Sequence, residues 1–257
     1  MKNLELGHQR RRLVMNGTYN VRDIGGYPTR EGRYTQWGKF FRSDSIHQLP
    51  EESRKLLLQQ GIGLIIDLRF PHEGSYQFHQ ELGIKYINIS LHNPANLRTE
   101  RPKSLLDLYC NIIDTKQESI YQIFQAIIAE QGKAILFHCK SGKDRTGIIA
   151  ALLLDLVGVQ HEIIAEDYAL SATYLMPLLE QRRSSLAALH GIKDTTLLES
   201  RPETMLFFLN YLHEKYENAE GYLKKIGISK NEIELLKKEI IEGPQQNVYG
   251  REKNEPY

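Results

Sequence analysis

"KAILFHCKSGKDRTGIIAALLLDLVG", residues 133–158, joins an apolar strand pattern to a long apolar helix pattern through one short polar turn. Residues 134–137 are all apolar, as expected for a strand that is covered on both faces. Residues 147–158 are so apolar that the helix they form is predicted to lie in the core. A strand that runs directly into a helix is typical of α/β proteins.

The sequence on either side of this stretch repeats the same alternation. We predict strands in "IGLIIDLR" (62–69) and "KYINISLH" (85–92), and helices over 49–61 and over 119–132, the second from Ser119 to Gly132. These elements predict a three-layer α/β sandwich with a mostly parallel central sheet flanked by helices. Amphipathic patterns later in the chain enlarge its helical C-terminal half.

The chain has 257 residues, and we predict one domain over 1–257. Within it we expect an N-terminal hairpin or strap segment (1–48), a helical part (161–242) and a polar tail (243–257). In the last part of the helical region, two short helices are predicted to meet at "GIS", residues 227–229.

The composition excludes several classes of function. The 33 Lys+Arg and 32 Asp+Glu nearly cancel, which argues against a general nucleic-acid binder. The longest apolar run, residues 147–154, is too short to span a bilayer, so no stable membrane insertion is expected. Two cysteines make no disulfide framework, and the opening residues lack the apolar core of a signal peptide. We therefore expect a cytoplasmic protein, with a monomer as the favoured state.

The turn after residue 137 combines a thiol, cations and glycine. A loop that opens a helix points backbone N–H groups into one concavity, where the helix dipole adds positive potential. Gly142 allows the tight turn, and Arg145 can clamp two oxygens of a bound phosphate. The same field favours the thiolate form of Cys139, a nucleophile for phosphorus. Asp67 ends another predicted strand, so both residues should share one crevice.

Other interpretations of the turn fit its residues less well. A single cysteine after an apolar strand is usually a small buried hydrophobe, but that does not explain the cations around Gly142. A nucleotide-binding Walker loop needs glycine at Phe137 and Ser/Thr at Asp144, and fails. A zinc site built on His138 and Cys139 lacks a second ligand pair. A rhodanese-like sulfurtransferase stays open as a distant alternative.

"HCKSGKDRTG" (138–147) resembles the His-Cys-x5-Arg-Ser/Thr signature of cysteine-dependent tyrosine and dual-specificity phosphatases. Its HC-x-x-GKDRTG form is similar to a bacterial branch that includes secreted phosphatases of Mycobacterium and Listeria. "NVRDIGGYPTREGRYTQWGKFFRSDSI" (20–46) and "IIDLR" (65–69) also resemble this branch. The resemblance implies a phosphatase-type sandwich and hydrolysis of phosphate monoesters through a cysteinyl-phosphate. A phosphate-binding pseudophosphatase is the alternative within the same resemblance.

The resemblance also implies roles for single residues. Cys139 would be the nucleophile, Arg145 would hold the phosphate, and Thr146 would hydrogen-bond the sulfur. His138 would support the loop. The phosphate-binding set would be completed by Lys140, Ser141, Gly142 and Lys143. No metal and no cofactor are implied.

The general acid and the substrate are less defined. The tryptophan-proline-aspartate loop that supplies the acid in ordinary tyrosine phosphatases does not occur, and the bacterial branch points to Asp144. Asp67 is the competitor, unless it forms a salt bridge to Arg69 or Arg145. "CKSGKDR" is similar to the "CKAGKGR" loop of phosphoinositide phosphatases, so the expected substrate is a phosphotyrosine protein or a phosphoinositide. Arg22 and Asp23 either line the crevice or form a salt-bridged turn, of which the turn is favoured, and Cys110 is expected to serve packing.

Overall fold

The computed structural model describes residues 9–71, 78–91, 104–187 and 200–241. Its central sheet has the strand order β1-β2-β5-β3-β4, and only the pairing of β1 with β2 is antiparallel. The prediction of a mostly parallel sheet is confirmed. The strands are β1 Arg22–Asp23, β2 Phe40–Ser43, β3 Ile62–Asp67, β4 Lys85–Asn88 and β5 Ala134–His138.

Helices cover both faces of this sheet, which confirms the three-layer α/β sandwich and its enlarged helical C-terminal half. None of the described helices is long and apolar enough to cross a membrane. The helices are α1 Glu51–Gln59, α2 Phe78–Glu81, α3 Leu105–Thr115, α4 Gln117–Ala129, α5 Asp144–Leu156, α6 His161–Ala187, α7 Pro202–Tyr216, α8 Ala219–Lys225 and α9 Lys230–Ile240.

Strand β3 shows which side chains face each of the two helical layers that cover the sheet. Ile62 and Ile65 are buried in a cluster with Leu57 of α1, whereas Leu64 and Ile66 belong to the larger cluster formed with helices α3 to α9. Side chains normally alternate along a strand. A register irregularity between Ile62 and Leu64 explains why Ile62 and Ile65, three residues apart, contact the same layer.

Helix α5 is buried along nearly all of its length. Every residue from 146 to 156 is buried, as the apolar run predicts. The helix begins at Asp144, inside the polar turn, and β5 ends at His138. Only residues 139–143 therefore separate the central strand from the central helix.

Some boundaries differ from those predicted. The helix expected to start at Ser119 starts two residues earlier, at Gln117, and follows α3 after the single residue Lys116. The break at 227–229 occurs where expected: Gly227 has a φ of 108°, and Ser229 caps α9 through a reciprocal capping box with Glu232. The predicted tail, 243–257, lies outside the described residues.

Candidate active site

Cys139 lies where the carboxyl ends of three parallel strands meet. His138, the last residue of β5, is in register with Ser43 of β2 and with Asp67 of β3. The sequence prediction that Cys139 and Asp67 share one edge of the sheet is therefore confirmed. The Cys139 residue is only 1% exposed.

The carbonyl oxygens of the loop are all bound to groups outside it. Ser45 N donates to Lys140 O at 3.1 Å, and Asn20 Nδ2 donates to Ser141 O at 2.9 Å. The Arg42 guanidinium donates to the next two carbonyls along the chain, at 2.8 and 3.3 Å. Every carbonyl from residue 140 to residue 143 thus accepts a hydrogen bond from the segment 20–45.

An arrangement of this kind favours a loop whose N–H groups face an anion. The first N–H groups of a helix have no partners within that helix, and α5 starts at Asp144. Loop N–H groups together with a helix N-terminus form a concavity that favours negative charge. Because the segment 20–45 already holds the carbonyls, the loop can present these donors without rearrangement.

A buried charge cluster lies behind the loop. Asp167 of α6 accepts hydrogen bonds from Arg22 at 2.8 Å, from Arg42 at 2.5 Å and from the Tyr27 hydroxyl at 2.9 Å. Burial acts to raise the pKa of Asp167, but the two arginines outweigh it and hold that pKa well below its usual range. Two cations against one carboxylate add positive charge beneath the loop. The salt-bridged turn expected for Arg22 and Asp23 is therefore wrong: Arg22 pairs with Asp167 on a distant helix, and Asp23 accepts hydrogen bonds from the backbone N–H groups of Gly25 and Gly38.

Glycine is required at one position of this region and allows close packing at a second. Gly142 has a φ of 66°, and a Cβ there would lie 2.5 Å from the backbone carbon and oxygen of Ser43. Such an approach is much closer than Cβ atoms tolerate, so the loop packs directly on the end of β2. At Gly147 a Cβ would lie 3.2 Å from the Tyr168 ring. Because Gly147 has no side chain, α5 can pack closely against α6.

Thr146 and Arg145 follow the loop on the first turn of α5. The Thr146 hydroxyl is buried and has no hydrogen-bond partner among the described residues. It is therefore a spare donor in the first turn after the loop. Arg145 is partly exposed, and its Nη1 donates to Leu68 O at 3.3 Å, so this side chain leans toward the end of β3.

The two candidate acids have different surroundings. Asp144 is partly exposed, accepts a hydrogen bond from the Tyr109 hydroxyl at 2.6 Å, and lies 3.4 Å from the ammonium of Lys143. Asp67 is buried and paired with Arg69, whose Nη2 lies 2.9 Å from its Oδ2. The salt bridge to Arg69 that was considered for Asp67 is confirmed.

The environment of Asp67 favours its ionised form. Burial acts to raise the pKa of Asp67, but attraction to His138 and hydrogen bonds from Arg69 lower it below its usual value. The Tyr86 hydroxyl also donates to Asp67, at 2.9 Å. A carboxylate that accepts hydrogen bonds from this many donors stays ionised and is poorly suited to donate a proton.

His138 is fully buried beside the nucleophile candidate. Its Nδ1 lies 3.2 Å from Cys139 O, and its Nε2 lies 3.8 Å from Asp67 Oδ1. Burial lowers the pKa of His138 to about 4, against the attraction of Asp67. The ring is therefore neutral at physiological pH.

The two loop lysines are not equivalent. The Lys140 side chain is exposed, whereas Lys143 is 1% exposed and lies beside Asp144. Cys110 is a half-buried free thiol on α3, and burial raises its pKa to about 11. The Cys110 thiol is therefore protonated at neutral pH.

Three residues of the site were not singled out from the sequence. Asn20 and Arg42 hold the loop carbonyls, and Asp167 holds Arg42. The first two lie in the stretch 20–46, whose resemblance to the bacterial branch was the only available signal. No sequence signal points to Asp167, because the helix that contains it is predicted only from its apolar pattern.

Comparisons of the sequence with known proteins identify its family. A family model described as a tyrosine phosphatase family matches residues 13–242. A tyrosine-protein phosphatase of Nostoc commune is 36% identical over 77% of this chain and 72% of its own length. A triple specificity protein phosphatase, PtpB, of Mycobacterium tuberculosis is 23% identical over 86% of this chain and 96% of its own. Among solved structures, P. aeruginosa TpbA shows a TM-score of 0.34 at 15% identity, over 56% of this chain and 83% of that one.

Proposed function

The chain belongs to the tyrosine phosphatase family and is a phosphatase, and from this premise we propose that it hydrolyses phosphotyrosine in proteins through a cysteinyl-phosphate. One observation supports this mechanism above the others. The Cys139 thiol follows the central strand on a loop whose four carbonyls, 140–143, are all bound to outside groups. With its carbonyls held from outside, the loop is suited to turn its N–H groups toward a phosphate over the sulfur.

In the first step the Cys139 thiolate attacks phosphorus, and the bond from phosphorus to the tyrosyl oxygen breaks. Arg145 and the loop N–H groups stabilise the charge on the equatorial oxygens. In the second step water attacks phosphorus, the sulfur–phosphorus bond breaks, and inorganic phosphate leaves. The spare Thr146 hydroxyl is suited to hydrogen-bond the departing thiolate.

We assign the general acid to Asp144. This carboxyl is partly exposed at the start of α5, and its hydrogen-bond partner Tyr109 is neutral. Asp67 is buried against Arg69 and held ionised, which disfavours it as a proton donor. A positioned acid contributes about 10²–10⁴-fold, and less as the leaving group improves.

Two cysteine variants test the nucleophile. Cys139→Ser should lower kcat by at least about 10⁴-fold and abolish the acid-stable phosphoenzyme trapped by quenching with a radiolabelled substrate. Cys110→Ser is the matched control and should keep both. Turnover that survives in Cys139→Ser would refute the mechanism. A wild-type protein that binds vanadate without turnover would instead be a pseudophosphatase, and sulfur transfer from thiosulfate to cyanide would identify a rhodanese.

Aryl phosphates of decreasing leaving-group pKa test the acid. The loss of kcat in Asp144→Asn should shrink along this series, because a good leaving group does not need a proton. Asp67→Asn should lower kcat by the same factor for every substrate, since its role is to hold Arg69. The reverse pattern would assign the acid to Asp67.

An additional phosphoinositide activity is favoured by one observation, the exposed ammonium of Lys140 beside the loop. A phosphoinositide headgroup offers several phosphates, and an exposed cation can bind one that the loop does not hold. Lys143 is buried beside Asp144 and is less suited to that role. The name of the mycobacterial relative, a triple specificity phosphatase, fits a site of broad specificity.

The ratio of two activities tests this second substrate class. Lys140→Ala should lower kcat/KM for a phosphoinositide up to about fivefold relative to a phosphotyrosine peptide. Lys225→Ala, another exposed lysine, should leave the ratio unchanged. An unchanged ratio in Lys140→Ala would remove the argument for lipid substrates and leave the tyrosine phosphatase mechanism intact.

A further inference from the structure

Three ligand-type side chains converge at the far end of α5. Asp155 lies eleven residues after Asp144, about 16 Å along the helix axis from the phosphate loop. His161 begins α6, and His213 lies in the last turn of α7. Both Nε2 atoms approach Asp155 Oδ1, at 3.1 and 2.9 Å, and lie 3.1 Å from each other.

The triangle of these atoms has the dimensions of a metal-binding face. Three ligands on one face of an octahedron, each about 2.1 Å from the ion, are about 3.0 Å apart. The observed edges of 2.9, 3.1 and 3.1 Å match this spacing. Two imidazoles and one carboxylate are also a donor set that suits Fe²⁺, Co²⁺, Ni²⁺ and Zn²⁺ rather than Ca²⁺ or Mg²⁺.

Hydrogen bonds alone satisfy this triangle poorly. If both rings donate to Asp155 Oδ1, the two N–H groups meet at an angle of about 60°, and their hydrogens crowd each other. If one Nε2 carries no proton, its lone pair faces the carboxylate oxygen. A cation at the centre removes both conflicts, because all three atoms then act as electron-pair donors.

The surroundings hold the triangle in place and leave one side open. Ala219 N donates to the second carboxylate oxygen, Asp155 Oδ2, at 2.8 Å, and the His161 and His213 rings meet edge to face at 4.4 Å. Asp155 and His213 also line a cavity of about 290 Å³. This volume has room for the waters that complete an octahedral shell, since a water molecule takes about 30 Å³.

We propose that Asp155, His161 and His213 form a binding site for one divalent transition-metal ion, separate from the phosphate loop. The bound ion would join the C-terminal end of α5 to the start of α6 and the end of α7. Through Asp155 it would also fix the first residue of α8. Its role in this position is to hold the helical half of the protein together.

Metal titration of the full chain tests the site. The protein is prepared without a polyhistidine tag, stripped with a chelator, and carries Cys139→Ser, because an active-site thiol would bind metal by itself. Calorimetry with Zn²⁺ or Co²⁺ should show one site. His161→Gln and His213→Gln should each weaken binding at least tenfold. His47→Gln, a substitution of an exposed histidine outside the cluster, should not.

Imidazole NMR signals give a second readout that needs no variant in the cluster. On addition of Zn²⁺ the Nε2 signals of His161 and His213 should shift together and saturate at one equivalent, while those of His47 stay in place. The proposal is overturned if no ion binds, if the two histidine variants bind as tightly as the control, or if the cluster signals respond to pH but not to metal. In each of those cases the triangle is a hydrogen-bonded contact between helices.

Discussion

Replacing Gly142 with alanine should damage both the active site and the fold. The position has a φ of 66°, and the added Cβ would lie 2.5 Å from the Ser43 carbonyl and 2.6 Å from Asp44 N. The Ser43–Asp44 backbone cannot retreat easily, because the Asp44 carboxylate holds the N–H groups of Tyr19 and Asn20 at 3.0 Å. The loop itself must therefore move by about 0.5–1 Å to reach ordinary contact distances.

The chain contains a matched control for this substitution. Gly61 has a φ of 71°, nearly the same backbone conformation, but no atom lies within 4 Å of its added Cβ. Both substitutions carry the left-handed penalty of about 1–2 kcal/mol. Only Gly142→Ala adds the clash, for which overpacking typically costs about 1–3 kcal/mol. The difference between the two variants thus isolates the contact between loop and strand.

Urea unfolding and steady-state hydrolysis of an aryl phosphate measure the two effects. Gly61→Ala should lose about 1–2 kcal/mol of unfolding free energy and keep kcat/KM within threefold of wild type. Gly142→Ala should lose about 1–3 kcal/mol more, and its kcat/KM should fall about 10–100-fold, because a misplacement of about 1 Å is worth up to 10²-fold. Equal kcat/KM in the two variants would refute the argument that this contact positions the loop.

Three further predictions concern charge and ligand binding. Asp167→Asn leaves two buried arginines without a counter-charge and should cost about 3–5 kcal/mol in urea unfolding, whereas Glu234→Gln, at an exposed carboxylate 3.5 Å from Lys237, should cost at most about 1 kcal/mol. Between pH 7 and pH 5, residue 138 takes up a proton in the unfolded chain, where its pKa is about 6.5, but stays neutral in the folded protein, where its pKa is about 4. The free energy of unfolding therefore falls as the pH is lowered through this window. Wild type should lose about 2 kcal/mol more of it than His138→Gln. Vanadate at 100 times its Kd should raise the unfolding free energy of wild type by about 2.7 kcal/mol, and at that concentration should leave Arg145→Met nearly unchanged.

The sequence predicted the central unit of the fold because its signals are contiguous. Strand β5, the loop and α5 follow one another within 26 residues, and each carries its own period and turn chemistry. The start of α4 was misplaced for the opposite reason. Ser119 has the chemistry of a cap, but α4 begins at Gln117, directly after α3, and Lys116 at its N-cap makes no side-chain cap hydrogen bond. The start of α4 is therefore set by the packing of α3 against α4, which the local sequence does not reveal.

The site was predicted as far as its residues are local. Cys139, Gly142 and Asp144 are visible in one decapeptide, and Asp67 was placed at the same sheet edge by the parallel-strand rule. The pairing of Asp67 with Arg69 could be stated only as an alternative, because a carboxylate two residues from an arginine is equally able to face a ligand. The bond from Arg42 to Asp167 spans 125 residues and leaves no pattern that one sequence can reveal.

The anion-binding turn therefore depends on more than its signature. In a strand–loop–helix with the same ten residues, each peptide could still turn either its N–H or its C=O toward the phosphate. In this protein that choice is made by donors from the segment 20–45, which bind each carbonyl from 140 to 143. Arg42 can serve two of those carbonyls because Asp167 fixes its guanidinium from behind. The loop 139–143, which we propose to be catalytic, and the segment 20–45 consequently act as one unit, and a substitution in either that leaves the sheet folded should still lower kcat.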